Sequence, residues 1–146
     1  MMDSKYDALK LENQLCFPLY ACARELIKLY KPFLDQIDLT YTQYITMMVL
    51  WDRKTINVKS LGEVLYLDSG TLTPLLKKLE AKGLVSRCRS AEDERSLIIS
   101  LTEAGEALKD RAVEIPGTLA QRVPLSPREA AELYRMLYKL LEETPR

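Results

Sequence analysis

Apolar residues recur at three- and four-residue spacings from about residue 6 to 34: Leu9, Leu15, Leu19, Ala23, Leu26, Ile27 and Tyr30. That spacing predicts an amphipathic helix. Pro18 removes a backbone bond to Gln14 and predicts a bend near Cys16, and Lys31-Pro32 predicts a break near the end of the element. A second helix is expected over residues 42–51, capped by Thr40 or Thr42, with Tyr44, Ile45, Met48, Val49 and Leu50 inward. Residues 55–58 suit a short strand, and Ser60 with Glu63 has the spacing of a capping box for a helix reaching about Tyr66. Asp68 or Ser69 caps the next helix, whose Leu72, Leu75, Leu76 and Leu79 share one face and which Gly83 ends. Two strands follow, 84–89 and 97–101, joined by a polar loop. Thr102 caps a further helix toward Leu119, kinked at Ile115-Pro116-Gly117. Ser126-Pro127-Arg128-Glu129 opens a closing helix with Leu133, Met136, Leu137, Leu140 and Leu141 inward. The expected fold class is mainly α with a small, three-stranded β-sheet, in one domain.

Composition narrows the chemistry. A chain of 146 residues, 47% hydrophobic, is long enough to bury one core. Its 21 basic and 21 acidic residues cancel, which argues against a polycation that coats nucleic acid. A local basic segment remains: Lys77, Lys78, Lys82, Arg87, Arg89 and Arg95 against Glu80, Glu92, Asp93 and Glu94. Any nucleic-acid binding must therefore rely on geometry and on two copies. The absence of histidine removes Ser-His-Asp and Cys-His catalysis and the commonest metal ligand. The three cysteines, Cys16, Cys22 and Cys88, form no CxxC pair, so neither a zinc site nor a disulfide framework is expected, and no cofactor. The acidic start MMDSKYDALKLENQ is not a signal peptide, and no apolar run reaches the ~18 residues of a membrane span. The expectation is a reduced, soluble, cytoplasmic protein.

The face opposite the leucines of the fourth helical segment carries Gly70, Thr73, Pro74, Lys77 and Ala81, with Thr71 and Lys78 to one side and Ser69 at the start. Small hydroxyl residues reach base edges or phosphates without bulk, and a helix N-terminus favours phosphate. Arg95, at the tip of the following hairpin, suits the narrower minor groove, with Asp93 placed to brace it and Arg87 adding charge. An ordinary surface helix and a solvated hairpin fit the same residues. Residues 61–105 resemble the winged helix-turn-helix of the MarR family of bacterial repressors, whose wing carries an aspartate and an arginine as Asp93 and Arg95 do. LDSGTLTPLLKKLEAKGLV is similar to that family's recognition helix. The resemblance implies a homodimer and a pseudo-palindromic double-stranded operator with half-sites on the order of 10 bp apart or a multiple. It also implies a DNA-binding lobe at about 40–102, and dimerisation helices at about 6–34 and 103–144, within a single domain over 1–146.

Two further runs, NQLCF at 13–17 and LTYTQY at 39–44, resemble the organic-hydroperoxide-sensing, OhrR-type branch of that family. The resemblance implies that Cys16 is oxidised by organic hydroperoxides and that tyrosines matching Tyr30 and Tyr41 hydrogen-bond its sulfur from the partner subunit. Tyr20 matches a further aromatic near the pocket. A thiolate attacks peroxide oxygen to give a sulfenic acid, phenolic donors favour the thiolate, and Phe17 favours organic over small polar peroxides. For Cys22 and Cys88 the expectation is a buried, inert small hydrophobe. Some members of the branch carry a second cysteine after the fifth helix; residues 121–132 hold none. Cys22, six residues on, lies about 240° around the helix from Cys16, and Cys88 is in the wing, so a mixed disulfide with a small-molecule thiol is favoured. The expected function is a non-enzymatic repressor released by oxidation of Cys16. The alternatives are release by a small aromatic or acidic ligand, a thiol peroxidase, or a helical dimerisation module.

Overall fold

In the computed structural model, which describes residues 4–146, the first long helix begins at Cys16 rather than bending there. Two 3-10 turns, Asp7–Leu9 and Leu11–Asn13, precede α1 (Cys16–Gln36). Side chains hold this lead-in: Asn13 donates to the Asp7 carbonyl at 2.7 Å, and Gln14 to the carbonyls of Ala8 and Lys10. Starting at Cys16 puts Pro18 in the first turn, where a missing N–H breaks no intrahelical bond. Leu9 and Leu15, expected on the helix's apolar face, are consequently exposed. At the other end α1 continues through Pro32 to Gln36, against the predicted break. Pro32 and Lys28, whose carbonyl loses its donor, both lie in exposed turns open to solvent.

Thr40 caps α2 (Tyr41–Arg53), and Gln43, three residues on, completes a capping box. Tyr44 and Leu50 of α2 are buried as expected and Ile45 and Val49 are half-buried, but Met48 is 42% exposed and Met47 is fully buried in its stead. After β1 (Thr55–Asn57), the cap of α3 (Val58–Leu65) is Asn57, whose side chain accepts the Ser60 N–H; Ser60 itself lies inside the helix. The helix ends at Tyr66 in a left-handed conformation. Asp68 then caps α4 (Ser69–Ala81), which buries the four expected leucines, and Gly83 follows at φ +75°.

β2 (Val85–Arg89) and β3 (Leu97–Leu101) form the hairpin, and β1 adds to the other edge of β3. Both pairings are antiparallel, with Ile56 opposite Ile99 and Cys88 opposite Ile98. Leu50, Leu61, Leu72, Leu76, Leu79 and Ile99 form the core with Met47. Thr102 caps α5 (Glu103–Ala112) as expected. Gly105, on its first turn, has no room for a Cβ, which would meet the Leu84 carbonyl and Leu101; the Trp51 indole donates to the Gly105 carbonyl at 2.9 Å.

One compact unit ends at Ile115 and a second runs from Pro116 to Arg146. The helix break falls at Val113-Glu114, before the proline, so that α6 spans Ile115–Ala120. Ser126 and Glu129 make the predicted capping box of α7 (Pro127–Glu143). Its apolar stripe is not buried as expected: Leu133, Met136, Leu140 and Leu141 remain exposed. The pattern correctly marks an apolar face, but none of α7 is buried within the chain.

Candidate functional site

α4 is pinned by its four buried leucines, which leaves Ser69, Gly70, Thr71, Thr73, Lys77 and Lys78 in solvent. Asp68 accepts the Thr71 N–H at 2.8 Å, closing the helix start. A Cβ at Gly70 would stand 3.3 Å from that same carboxylate, so glycine leaves the cap unobstructed. Thr73 donates its hydroxyl hydrogen to the Ser69 carbonyl at 2.8 Å, keeping its oxygen available as an acceptor.

The basic segment is less available than a count of its charges implies. Arg87 pairs with Glu80 at 3.0 Å and holds that carboxyl below its usual range. Its Nε is buried with no hydrogen-bond partner among the described residues. Arg87 therefore ties β2 to α4. Lys82 is turned inward to the corner between α1 and α2. Lys77, Lys78, Arg89 and Arg95 remain exposed, without an ion pair among the described residues. In the wing, the Asp93 carboxylate accepts the backbone N–H of Arg95 at 3.0 Å, and its carbonyl accepts that of Ser96 at 2.9 Å. Asp93 thus braces Arg95 through its backbone and fixes the loop, while the guanidinium stays in solvent.

Cys16 is exposed as the first residue of α1, at the end of the helix where unpaired N–H groups favour negative charge. One turn on, the Tyr20 ring is exposed, with the Arg24 guanidinium 5.5 Å from its centroid and hydrogen-bonded to its hydroxyl at 3.3 Å. Tyr30 and Tyr41 do meet, with ring centroids 5.0 Å apart. Tyr44 joins them at 5.9 and 6.3 Å and stacks edge-on to Trp51 at 6.5 Å. Sequence reasoning placed Tyr44 only in the core; its three-residue spacing from Tyr41 was the available signal. Burial pushes the Tyr30 and Tyr41 hydroxyls above their ordinary value, and Tyr44 up to about 12 through burial and then its tyrosine neighbours. The cluster is made of neutral hydrogen-bond donors at any physiological pH.

Cys16 is not part of that cluster within one chain. Fourteen residues of α1 separate it from Tyr30, about 21 Å of helix at ~1.5 Å per residue. Cys22 and Cys88, expected to be buried, are both exposed: Cys22 lies on an uncovered side of α1, and Cys88 points outward from an edge strand.

The chain matches the family described as transcriptional regulator SarA/Rot over residues 28–112. It is 55% identical over 141 residues to an organic hydroperoxide resistance transcriptional regulator of Bacillus subtilis (strain 168), covering 97% of this chain and 96% of that one. Among solved structures it is similar to reduced AbfR bound to DNA, with 34% identity, a TM-score of 0.79, and coverage of 97% of this chain and 98% of that one. It is also similar to a mutant MarR from E. coli complexed with operator DNA, with 25% identity, a TM-score of 0.81, and coverage of 95% and 99%.

Proposed function

Since the chain belongs to the MarR family of transcriptional regulators, in its organic-hydroperoxide-sensing branch, we propose that it is a dimeric repressor whose hold on DNA is set by Cys16. The observation that carries this reading is the layout of α1. An exposed thiol stands at one end and a cluster of neutral phenols at the other, too far apart to meet in one chain. A second copy with its α1 running antiparallel brings the two ends together. The exposed apolar side chains of α1 and α7 supply the surface for that pairing, Phe17, Leu19, Leu26 and Ile27 on one and Leu133, Met136, Leu140 and Leu141 on the other. Residues about 40–102 then form the DNA-binding lobe, and helices at about 6–34 and 103–144 the dimerisation part of a single working domain.

In the reduced dimer, the α4 helices enter successive major-groove faces of a pseudo-palindromic operator. Ser69, Gly70, Thr71 and Thr73 approach bases and backbone, Lys77 and Lys78 contact phosphates, and Arg95 enters the minor groove. Arg87 and Asp93 act at that surface as braces. The Cys16 thiolate attacks the terminal oxygen of a hydroperoxide; the S–O bond forms as the O–O bond breaks, and the departing alkoxide takes a proton to leave as an alcohol. Sulfur is oxidised to sulfenic acid and the peroxide is reduced. A small-molecule thiol then condenses with the sulfenic acid, releasing water and leaving a mixed disulfide, because residues 121–132 offer no resolving cysteine. Loss of the phenol–thiolate bonds and insertion of the adduct favour a second arrangement of the dimer; tenfold weaker DNA binding needs only ~1.4 kcal/mol of difference. The protein is a stoichiometric cytoplasmic sensor, not a peroxidase.

Gel shifts with reduced protein and a small-molecule thiol, with and without cumene hydroperoxide, test this directly. Parent protein releases operator DNA on oxidation and gains the mass of one adduct at Cys16. Cys16→Ser binds the operator and keeps it. A serine variant that lets go as readily as the parent sinks the assignment. A second reading, release by a small aromatic acid, is favoured by a groove of about 280 Å³ where Ile27, Leu34 and Leu39 adjoin Lys28, Lys31 and Tyr41. Under that reading, salicylate releases DNA in the presence of excess reductant.

A further inference from the structure

The carbonyl end of α1 is held by two cations, one from the end of α4 and one from α5. Lys82, the residue that closes α4, donates from Nζ to the backbone carbonyl of Asp38 and to Gln43 Oε1 at 3.2 Å, with the Asp38 carboxylate at 3.5 Å. Arg111, in the last turn of α5, donates from Nη2 to the Gln36 carbonyl at 2.5 Å. A helix C-terminus carries unpaired carbonyls and partial negative charge, which accounts for cations being drawn there. The neighbouring carbonyls are otherwise occupied: Leu34 accepts from Ile37 and Leu39, and Asp35 from Asp38.

Three details distinguish this from a chance surface contact. Gln43 is only 3% exposed, and its Oε1 also accepts the Thr40 N–H at 3.0 Å, so Lys82 grips the capping box that starts α2. Asp38 holds a left-handed backbone, φ +53°, unusual for a non-glycine residue, at the position that presents its carbonyl to Lys82. The two cations are also joined behind the contact. Lys82 precedes Gly83, whose carbonyl accepts the hydroxyl of Thr102, the cap of the helix that carries Arg111. The contacts close a ring: end of α1, Lys82, Gly83, Thr102, α5, Arg111 and back to α1.

We propose that Lys82 and Arg111 are positioning residues that clamp the end of the sensing helix to the end of the recognition helix. The clamp sets how α4 sits for DNA reading and carries displacement of α1 to it; this second role rests on the Cys16 reading above. A 21-residue helix spans about 31 Å, and a displacement at its Cys16 end reaches α4 through whatever holds its far end. Lys82 belongs by sequence to the same basic run as Lys77 and Lys78, but in this assignment it touches no phosphate.

That distinction is measurable. Full-length reduced protein is titrated with a duplex enriched from random DNA by the reduced parent, and with a scrambled duplex of the same composition, over a range of salt. Lys82→Met is expected to weaken the enriched duplex about tenfold, leave the scrambled one unchanged, and keep the parent's slope of log affinity against log salt. Its ratio of reduced to oxidised affinity falls toward one. Lys82→Arg restores most of the selectivity. Arg111→Met, checked like the others by circular dichroism, reproduces the loss and carries the test if Lys82→Met does not fold. A loss shared by both duplexes, with the slope shallower by about one, makes Lys82 a phosphate contact and overturns the clamp. Parent-like selectivity in the Lys82→Met and Arg111→Met proteins overturns it equally. A parent that keeps its DNA after oxidation of Cys16 sinks the sensing assignment alone, since selectivity and salt slope are read without any oxidant.

Discussion

Tyr44 sits between the Tyr30 and Tyr41 rings and Trp51, and its proton is the hardest of the three tyrosine protons to remove. Burial and the adjoining Tyr30 and Tyr41 push it up to about 12, against roughly 10 in an unfolded chain. Below pH ~10 the tyrosine is protonated whether the chain is folded or not, and its contribution to stability is complete. Between ~10 and about 12 the unfolded chain ionises while native Tyr44 keeps its proton, so stability falls as pH rises. Denaturant titrations should therefore show a midpoint that declines across this window, with a shallower decline in Tyr44→Phe. A smaller residue exerts a sharper constraint. Gly105→Ala drives a methyl into the Leu84 carbonyl and Leu101, and should cost about 1–3 kcal/mol, read as a lowered thermal midpoint. At this scale the sequence shows residue types but not partners. Arg87 and Lys82 read as free charges because Glu80, Asp38 and Gln43 reach them only through the fold. Cys22 and Cys88 read as inert core for the same reason, since type alone does not report exposure.

Elements were legible wherever a local cap and a strong apolar period agreed. α4 has both: Asp68 at its start, leucines at 72, 75, 76 and 79, and Gly83 just beyond its end. α1 failed at its start because periodicity continues smoothly through residues 6–15, while the decisive fact is that Pro18 is tolerated only in a first turn. Within α2, Met47 rather than Met48 is buried, because apolar residues cover too much of the sequence between Tyr44 and Trp51 for a period to choose between them. Asn57 was missed as a cap because Ser60 and Glu63 offered the same local chemistry three residues later. The cap on α4 matters twice, for the helix and for the exposed residues of its first turn. Asp68→Ala should cost about 1 kcal/mol of stability by leaving the Thr71 N–H without its acceptor, measurable by urea titration. Lys77→Ala should leave stability within about 0.5 kcal/mol, as its side chain is exposed, and make the salt slope of DNA binding shallower by about one.

At the scale of the whole molecule, α1 and α7 each carry apolar side chains that are partly exposed. The sequence identified both faces by their spacing; what it could not show is that the apolar stripe of α7 is left uncovered within its own subunit. Leu133, Met136, Leu140 and Leu141 are 39–45% exposed. A helix that displays such a stripe to water gains by pairing with another surface, and a second copy provides one with the symmetry a palindromic operator requires. Leu133→Asp with Leu140→Asp places two charges in that stripe without touching a buried residue. The variant should keep its helical circular dichroism and sediment as a monomer at concentrations where the parent is a dimer. Its operator affinity should fall about a hundredfold or more, because linking two reading helices multiplies affinity by roughly 10²–10⁴ without adding contacts. Under the proposed arrangement the response to oxidation should vanish as well, because a monomer cannot bring the thiol of one copy to the phenols of another. If the double variant stays dimeric and still answers to hydroperoxide, α7 is not the interface and another surface must bring the two copies together.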